Sequence, residues 1–450
     1  MERHEVTMRI LLIGQGAREH ALAWKLKQSS LMSELFVWPG NAAMNQIACP
    51  FTNAENPTLE ELALEAKNKK IDLTICGPET PLANGIKDIW AQQQLLLFGP
   101  NREASQLESS KAFAKTLMLE AAIPTAAFTI ANSAEECLQQ ASLVWQKYKG
   151  VVLKDDGLAG GKGVFVCHKR EELTSAVKKL YPNQGDNKVV VVEELLKGRE
   201  CSYFALLSEK YSDFLGFAVD FKRAEEGDLG PNTGGMGCYT PVPWLPKNAH
   251  SEVQERILDP LQKILKKKKI EFQGFLYIGL MWSSKGPQVV EFNVRLGDPE
   301  AQTLAAHDTR DWLALIMQHF DKETTTLGKK QKNVKQTRKT VSIVMASKDY
   351  PNPPNQSPKT QSGNTPLSRS VFQEQDTINV FGAAITGKND RIFPGCGRVL
   401  TVVSTEESFN KAREKALEQC REIASSWPEG RWRNDIAQLV ATEEDETTNI

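Results

Sequence analysis

The stretch Glu291-Phe292-Asn293-Val294-Arg295-Leu296-Gly297-Asp298-Pro299-Glu300 carries more chemistry than any other ten residues of the 450-residue chain. It follows the apolar pair Val289-Val290, so it reads as the end of a β-strand. Side chains alternate faces along a strand, which puts Glu291, Asn293 and Arg295 on one side. A carboxylate, an amide oxygen and a guanidinium in a row suit a hard cation bridging phosphate oxygens, with the arginine holding a second anion. An exposed edge strand with a salt-bridge ladder would carry the same residues, so the rest of the chain must separate the two readings.

Four further segments bear on that choice. Gly14-Gln15-Gly16-Ala17-Arg18-Glu19-His20 joins a strand to a helix, but Glu19 stands where a dinucleotide fingerprint needs its third glycine for close helix–strand packing. What remains is a glycine turn that offers backbone N–H groups and a helix N-terminus to an anion. Gly40-Asn41 and Gly77-Pro78-Glu79 offer similar geometry, so a phosphorylated small molecule fits better than a dinucleotide. Gly157-Leu158-Ala159-Gly160-Gly161-Lys162-Gly163 lies between two strand candidates, and no Ser or Thr follows its lysine, so it is not a P-loop. Its glycines still make a flap whose backbone can close over phosphates, with Lys154 near the same anion.

Val191-Val192-Glu193-Glu194-Leu195-Leu196 ends a strand and is followed by Gly198-Arg199-Glu200. Glu193, the Leu196 backbone and Glu200 could receive an adenine and a ribose, although a helix start with surface acids would look the same. Asp228-Leu229-Gly230-Pro231-Asn232-Thr233-Gly234-Gly235-Met236-Gly237 reads as a loop whose amides are free to approach a phosphate or carboxylate, with Asp220, Lys222 and Arg223 just before it. The six histidines show no metal-ligand spacing.

The elements that must position these groups follow from pattern. Met8 to Ile13, Leu35 to Trp38, Leu73 to Cys76 and Leu95 to Phe98 are apolar runs, each closed by glycine or proline, and predict a parallel α/β sheet with ligands beyond its strand C-termini. From about Ser105 a helix over Lys111 to Ala121 leads into β-rich segments and longer apolar strands, the pattern of an α+β region with antiparallel sheets. Residues 322–339 read as a surface connector and 351–366 as a loop. After them, Val341 to Met345, Ile378 to Ile385, Val399 to Val403 and a helix over Glu407 to Ala424 suggest a third, small α/β unit. The acidic tail from Glu443 reads as disordered.

Bulk composition narrows the function. Hydrophobic residues make up 40% and charged ones 25%, with a net charge of −1, so the basic excess of a nucleic-acid binder is absent. No apolar run approaches the roughly 18 residues of a membrane span. The scattered cysteines suggest reduced thiols in the cytoplasm.

Together these pieces resemble the phosphoribosylamine–glycine ligase (glycinamide ribonucleotide synthetase) family of the ATP-grasp superfamily. The resemblance runs from about Met8 to Thr303 and more weakly to Ile436. Its most specific carriers are residues 14–21, 77–82, 230–237 and 291–300. It implies a multidomain α/β and α+β protein: an N-terminal parallel α/β domain at 8–104, an ATP-grasp core at 105–329 with an inserted mobile lid at about 125–194, a small C-terminal α/β domain at 330–436, and a tail at 437–450. It also implies that ATP phosphorylates glycine and that the amine of 5-phosphoribosylamine displaces the phosphate. Lys111, Lys154 and Lys162, with Gly160, Gly161 and Gly163, would neutralise ATP phosphates, and Glu193, Leu196 and Glu200 would take the nucleoside. Glu291 and Asn293 would hold Mg²⁺ or Mn²⁺. Arg295, Asp220 and Lys222, with Asn232, Thr233, Gly234 and Gly235, would position glycine and its acyl phosphate. Gly14, Gly16, Arg18, Glu19, His20, Gly40, Asn41, Gly77, Pro78, Glu79, Gly297 and Asp298 complete the substrate set.

The chain departs from the family pattern at Phe221, usually histidine, at residues 381–386, at Cys396 within 394–400, and after Tyr350-Pro351. Another ATP-grasp ligase or carboxylase, or a non-catalytic ATP-binding homologue, is the rival reading. A cytoplasmic monomer with a single activity is expected, acting on small molecules and not on nucleic acid or membrane.

Overall fold

Five short strands, closed by glycine and proline turns, build the N-terminal sheet in the order Cys49–Pro50, Met32–Pro39, Met8–Gly14, Leu73–Cys76, Leu97–Phe98, all parallel. The computed structural model describes residues 7–158, 163–183, 185–320, 337–351, 365–373, 375–388 and 391–448. The central strand of this sheet is apolar almost throughout and buried, as a strand covered on both faces must be. Its neighbours all end at one edge, so Gly14, Gly40 and Gly77 emerge side by side, with Gly40 and Gly77 donating backbone hydrogen bonds to Gly14 and Ile13. Only the two-residue strand at Cys49 escaped the sequence pattern, being too short to show one.

The expected lid range holds a four-stranded antiparallel sheet, ordered Phe128–Ala131, Val190–Glu194, Val151–Asp155, Val164–Cys167. Helices Ala134–Tyr148 and Glu172–Leu180 cover one face and close a small core of their own. The first is capped by Ser133, whose hydroxyl accepts from Glu136 N at 3.2 Å, worth about 1 kcal/mol.

The main sheet has eight strands in the order Gly286–Asn293, Gly274–Ser283, Arg199–Leu207, Ser212–Asp220, Gly237–Thr240, Lys339–Ala346, Arg398–Glu406, Ile378–Gly382. Three C-terminal strands, Lys339–Ala346, Arg398–Glu406 and Ile378–Gly382, thus belong to this sheet, while Ile385–Lys388 and Arg391–Pro394 pair apart from it. Gly237–Thr240 pairs with Ser212–Asp220 on one side and Lys339–Ala346 on the other, joining both halves. Physical need explains this: Lys339–Ala346 is buried along nearly all its length, and ending the sheet there would leave its ladder without partners in the interior. The helix Glu300–His307 lies across the junction, packed on the helix Ala17–Lys27 and on both halves of the sheet.

Two expectations are corrected. Leu229–Asn232 is a strand paired with Arg223–Glu225, so half of the glycine-rich loop is the return arm of a hairpin. The acidic tail is ordered as a helix, Gln438–Thr448, because Val440 and Ala441 pack on the helix Phe409–Ser426 and Glu444 accepts from Phe409 N at 2.7 Å. Among the described residues, no helix is long and apolar enough to cross a membrane.

Candidate active site

Strand pairing fixes the first group. Glu291 stands opposite Gly279 and Asn293 opposite Tyr277, while Phe292 between them turns into the core. Asn293 Nδ2 lies 3.4 Å from Glu291 Oε1, and Arg295 Nη2 donates to Asn293 Oδ1 at 3.2 Å. Arg295 is not left open for a second anion. It pairs with Glu108 at 2.8 Å and Glu79 at 3.3 Å, carboxylates from two short helices at the N-terminal domain. Burial works against its charge, but these acids outweigh it and raise its pKa. Glu108 is itself raised by burial despite Arg295, and its other oxygen accepts from Val294 N at 2.9 Å. Sequence alone missed Glu108 and this ion-paired bolt between domains.

A cluster of lysines faces the same strand. Ser110 caps the helix Lys111–Glu120, which sets Lys111 at its start and Lys115 one turn on, on the same face. Lys111 Nζ donates to Gly157 O at 2.8 Å, and burial lowers its pKa against the pull of Glu291. Lys154 donates to Val290 O at 2.9 Å and pairs with Glu193 Oε2 at 3.0 Å, while Lys115 meets Glu193 Oε1 at 3.1 Å. Burial pushes Lys115 down to about 8, Glu193 resisting. Both Glu193 oxygens thus meet ammonium groups, on the wall of the cavity where the sequence places a nucleoside. Lys115 went unnoticed in the sequence, although its spacing of four from Lys111 was a usable signal. Lys111, Lys115 and Lys154 thus line this wall of the cavity, with Glu193 and Glu291 offsetting part of their charge.

The opposite wall comes from the main sheet and the C-terminal domain. Lys222 contacts the Glu200 carboxylate and lies 3.7 Å from Asp220. Burial opposes its charge, yet the two acids raise its pKa well above normal, while burial raises Asp220. Thr233 is folded back on Lys222 O through its amide at 2.7 Å and its hydroxyl at 2.9 Å. Arg398, from the segment that carries Cys396, donates to Gly234 O at 2.7 Å and Asp298 O at 2.6 Å. Its charge, with Gln302, outweighs burial and holds Asp298 below the usual carboxylate range. Tyr350 accepts from Gly234 N at 3.0 Å. Glu300, packed against Gly297, is pushed up to about 8 by burial and by Asp220. The sequence assigns no site role to Arg398 or Glu300, although both stand in segments it marks.

These walls enclose a cavity of about 400 Å³. Gly16, Arg18, Glu19, Glu79, Lys111 and Lys154 line it, together with Glu193, Asp220, Lys222, Thr233 and Gly234. Glu291, Asn293, Arg295, Gly297 and Asp298 complete the expected part of the lining. Glu200 and Asn232 line an adjoining crevice of about 740 Å³ beside the strand Val164–Cys167. Gly14, His20, Gly40, Asn41, Gly77, Pro78, Leu196 and Gly235 line neither. Gly14 and Gly77 serve instead to admit Glu19, whose side chain fills the space a Cβ would need at either position. Glu19 Oε2 accepts from Gly16 N at 2.7 Å, so the first turn's anion is the chain's own. His20 and Asn41 are likewise turned inward: His20 Nδ1 accepts from Gly382 N at 2.9 Å, and Asn41 donates to Gly382 O at 2.9 Å. The departure at 381–386 is thereby absorbed into a domain contact, since a side chain at 382 would strike Ile385. Gly163 closes a hairpin by accepting from Asp155 N at 2.8 Å. Gly160, Gly161 and Lys162 lie outside the described residues.

Among the described residues, no cluster of three or more His, Cys, Asp or Glu side chains could hold a metal unaided. Glu291 and Asn293 supply two hard oxygen donors beside the lysines. That fits Mg²⁺, which keeps several waters and is commonly held by one or two protein oxygens plus substrate phosphates.

Comparison with known proteins agrees along the whole chain. Models of the phosphoribosylglycinamide synthetase N domain, ATP-grasp (A) domain and C domain match residues 8–108, 109–301 and 340–439. A phosphoribosylamine–glycine ligase of Caldanaerobacter subterraneus subsp. tengcongensis is 37% identical over 438 residues, 96% of this chain and 99% of its own. The crystal structure of phosphoribosylamine–glycine ligase from Thermotoga maritima superposes with a TM-score of 0.75 at 28% identity, covering 95% of this chain and 100% of that one. Biotin carboxylase from Campylobacter jejuni, solved as a β,γ-ATP complex, shares the fold alone, with a TM-score of 0.66 at 15% identity over 93% of this chain and 92% of its own.

Proposed function

The chain belongs to the phosphoribosylglycinamide synthetase family, and from that premise we propose how its cavity joins glycine to phosphoribosylamine with ATP, a step of purine biosynthesis. One observation carries the reading: Lys111, Lys115, Lys154 and the Glu291–Asn293 oxygen pair face Lys222 and Thr233–Gly234 across a single cavity of about 400 Å³. Phosphoryl transfer asks mainly for positioning and charge neutralisation, and this is what the two walls supply.

Lys111, Lys115 and Lys154 hold the triphosphate, with Glu193 fixing the last two. Glu291 and Asn293 would hold the divalent ion, Mg²⁺ or Mn²⁺, which would supply charge neutralisation for the phosphates. Lys222, beside the 233–235 turn, holds the glycine carboxylate toward the γ-phosphate, and Asp220 fixes Lys222. Arg295 acts by locking Glu79 and Glu108 beneath the site. Once the carboxylate is phosphorylated, the amine of phosphoribosylamine attacks the carbonyl and phosphate departs. Arg18, beside Gly16 on the N-terminal wall, holds the sugar phosphate. The lid with Gly160, Gly161 and Lys162 covers the nucleotide, and Glu200, four residues after Leu196, borders the nucleoside crevice. Boundaries near 104 and 329, a monomeric state and a cytoplasmic setting belong to the same proposal, as does the absence of nucleic-acid and membrane partners.

ADP release with Mg²⁺ and ATP tests it. Turnover is expected only with glycine and freshly made phosphoribosylamine together. Equal turnover with either one alone, or none with both despite ATP binding, would refute the assignment.

A further inference from the structure

Arg433 is 1% exposed, and no step above uses it. It comes from the C-terminal domain, yet its guanidinium reaches both ends of the 223–232 hairpin. Nε and Nη2 clasp Asp435 at 2.8 and 2.6 Å. Nη1 donates to Asp228 Oδ1 at 2.9 Å and to Arg223 O at 3.0 Å. Beneath it lies the Phe221 ring, 5.3 Å from the guanidinium carbon. The same short arm makes other contacts with the hairpin: Asp435 accepts from Gly227 N at 2.8 Å, Asn434 donates to Glu226, and Arg431 donates to Ala224 O at 2.6 Å.

The hairpin needs such a brace. Nearly all of 225–234 is exposed, so no core holds it, and its turn carries Asp228 at φ +54, a conformation that a side chain other than glycine seldom adopts unaided. Lys222 sits directly between Phe221 and Arg223, the two residues Arg433 touches at the hairpin's base. Phe221 suits this seat because an aromatic face attracts a guanidinium. The histidine usual at this position would, when protonated, repel it.

We propose that Arg433 is a positioning residue for Lys222, acting through the Phe221 ring and the Arg223 carbonyl on either side of it, with Asp228 anchoring the far end of the glycine-rich hairpin. This rests on the reading of Lys222 as a glycine-holding group.

Steady-state kinetics of Arg433→Lys, Phe221→Leu, Phe221→Tyr, Lys222→Ala and the double variant Arg433→Lys/Lys222→Ala test it. Arg433→Lys and Phe221→Leu should each lower kcat/KM for glycine about tenfold, the scale of one buried cation–π contact, and leave KM for ATP unchanged. Phe221→Tyr, which keeps the aromatic face, should retain activity. In the Lys222→Ala background Arg433→Lys should add nothing, because an effect carried by Lys222 cannot appear twice. Additive losses, or a KM for ATP that rises in parallel, would overturn the proposal. Lys222→Ala with full glycine kinetics would overturn the reading of Lys222 and this proposal together. A crippled Lys222→Ala beside a normal Arg433→Lys and a normal Phe221→Leu would overturn this proposal alone. Should Arg433→Lys fail to fold, Phe221→Leu carries the same comparison.

Discussion

Glu193 stands where water hardly reaches, with Lys115 and Lys154 on its two oxygens and all three side chains nearly buried. Buried ion pairs return little stability relative to apolar residues, but removing one partner strands the others. Glu193→Gln should therefore destabilise the fold by about 3–5 kcal/mol, read as a fall in the urea midpoint at unchanged slope. A loss below about 1 kcal/mol, within the range of a surface pair, would mean that the lysines find other partners. Glu291→Gln should behave differently. It keeps shape and fold but removes a hard ligand charge, so turnover should fall sharply and need more divalent ion. A metal activation curve matching the parent's would remove Glu291 from the site. The motif holding Glu291 was legible in the sequence because strand alternation is local. The partners of Glu193 and Arg295 were not, since which charges meet is decided by strand pairing and by contact between elements far apart in sequence.

The helix Ala17–Lys27 shows the same limit at the level of an element. Its strand–turn–helix form was plain from the glycines, but its direction of service was not: Glu19 fills its own N-terminal turn, and His20 faces the C-terminal domain. Burial depresses His20 from 6.5 to about 3. The unfolded chain takes up a proton below about pH 6.5 while the folded chain refuses it, so stability is full above that pH and is lost as pH falls toward 3. Between pH 6.5 and 5 this one group should account for a loss on the order of 2 kcal/mol. His20→Asn keeps an acceptor for Gly382 N and does not titrate, so its urea midpoint should fall less than the parent's over that window. Parallel falls would show that the imidazole is not held neutral by the contact.

At the scale of the molecule, the eight-stranded sheet makes the C-terminal region part of the catalytic body. Apolar runs predicted its strands well, yet pairing between Gly237–Thr240 and Lys339–Ala346 joins residues far apart in sequence, which no local pattern records. A chain ending before residue 337 would expose that strand edge and lose Arg398, Tyr350 and Arg433 together. It should therefore fail to give a soluble, cooperatively unfolding protein. A stable truncated chain with a sharp unfolding transition would show that the sheet does not need its second half. The strand Gly237–Thr240 also begins where the glycine-rich turn at 233–235 ends, and its amides bond both neighbours. Deuterium uptake at those few amides should therefore slow when ligands fill the cavity, and with them uptake along Lys339–Ala346, making strands remote from the phosphates a built-in gauge of occupancy.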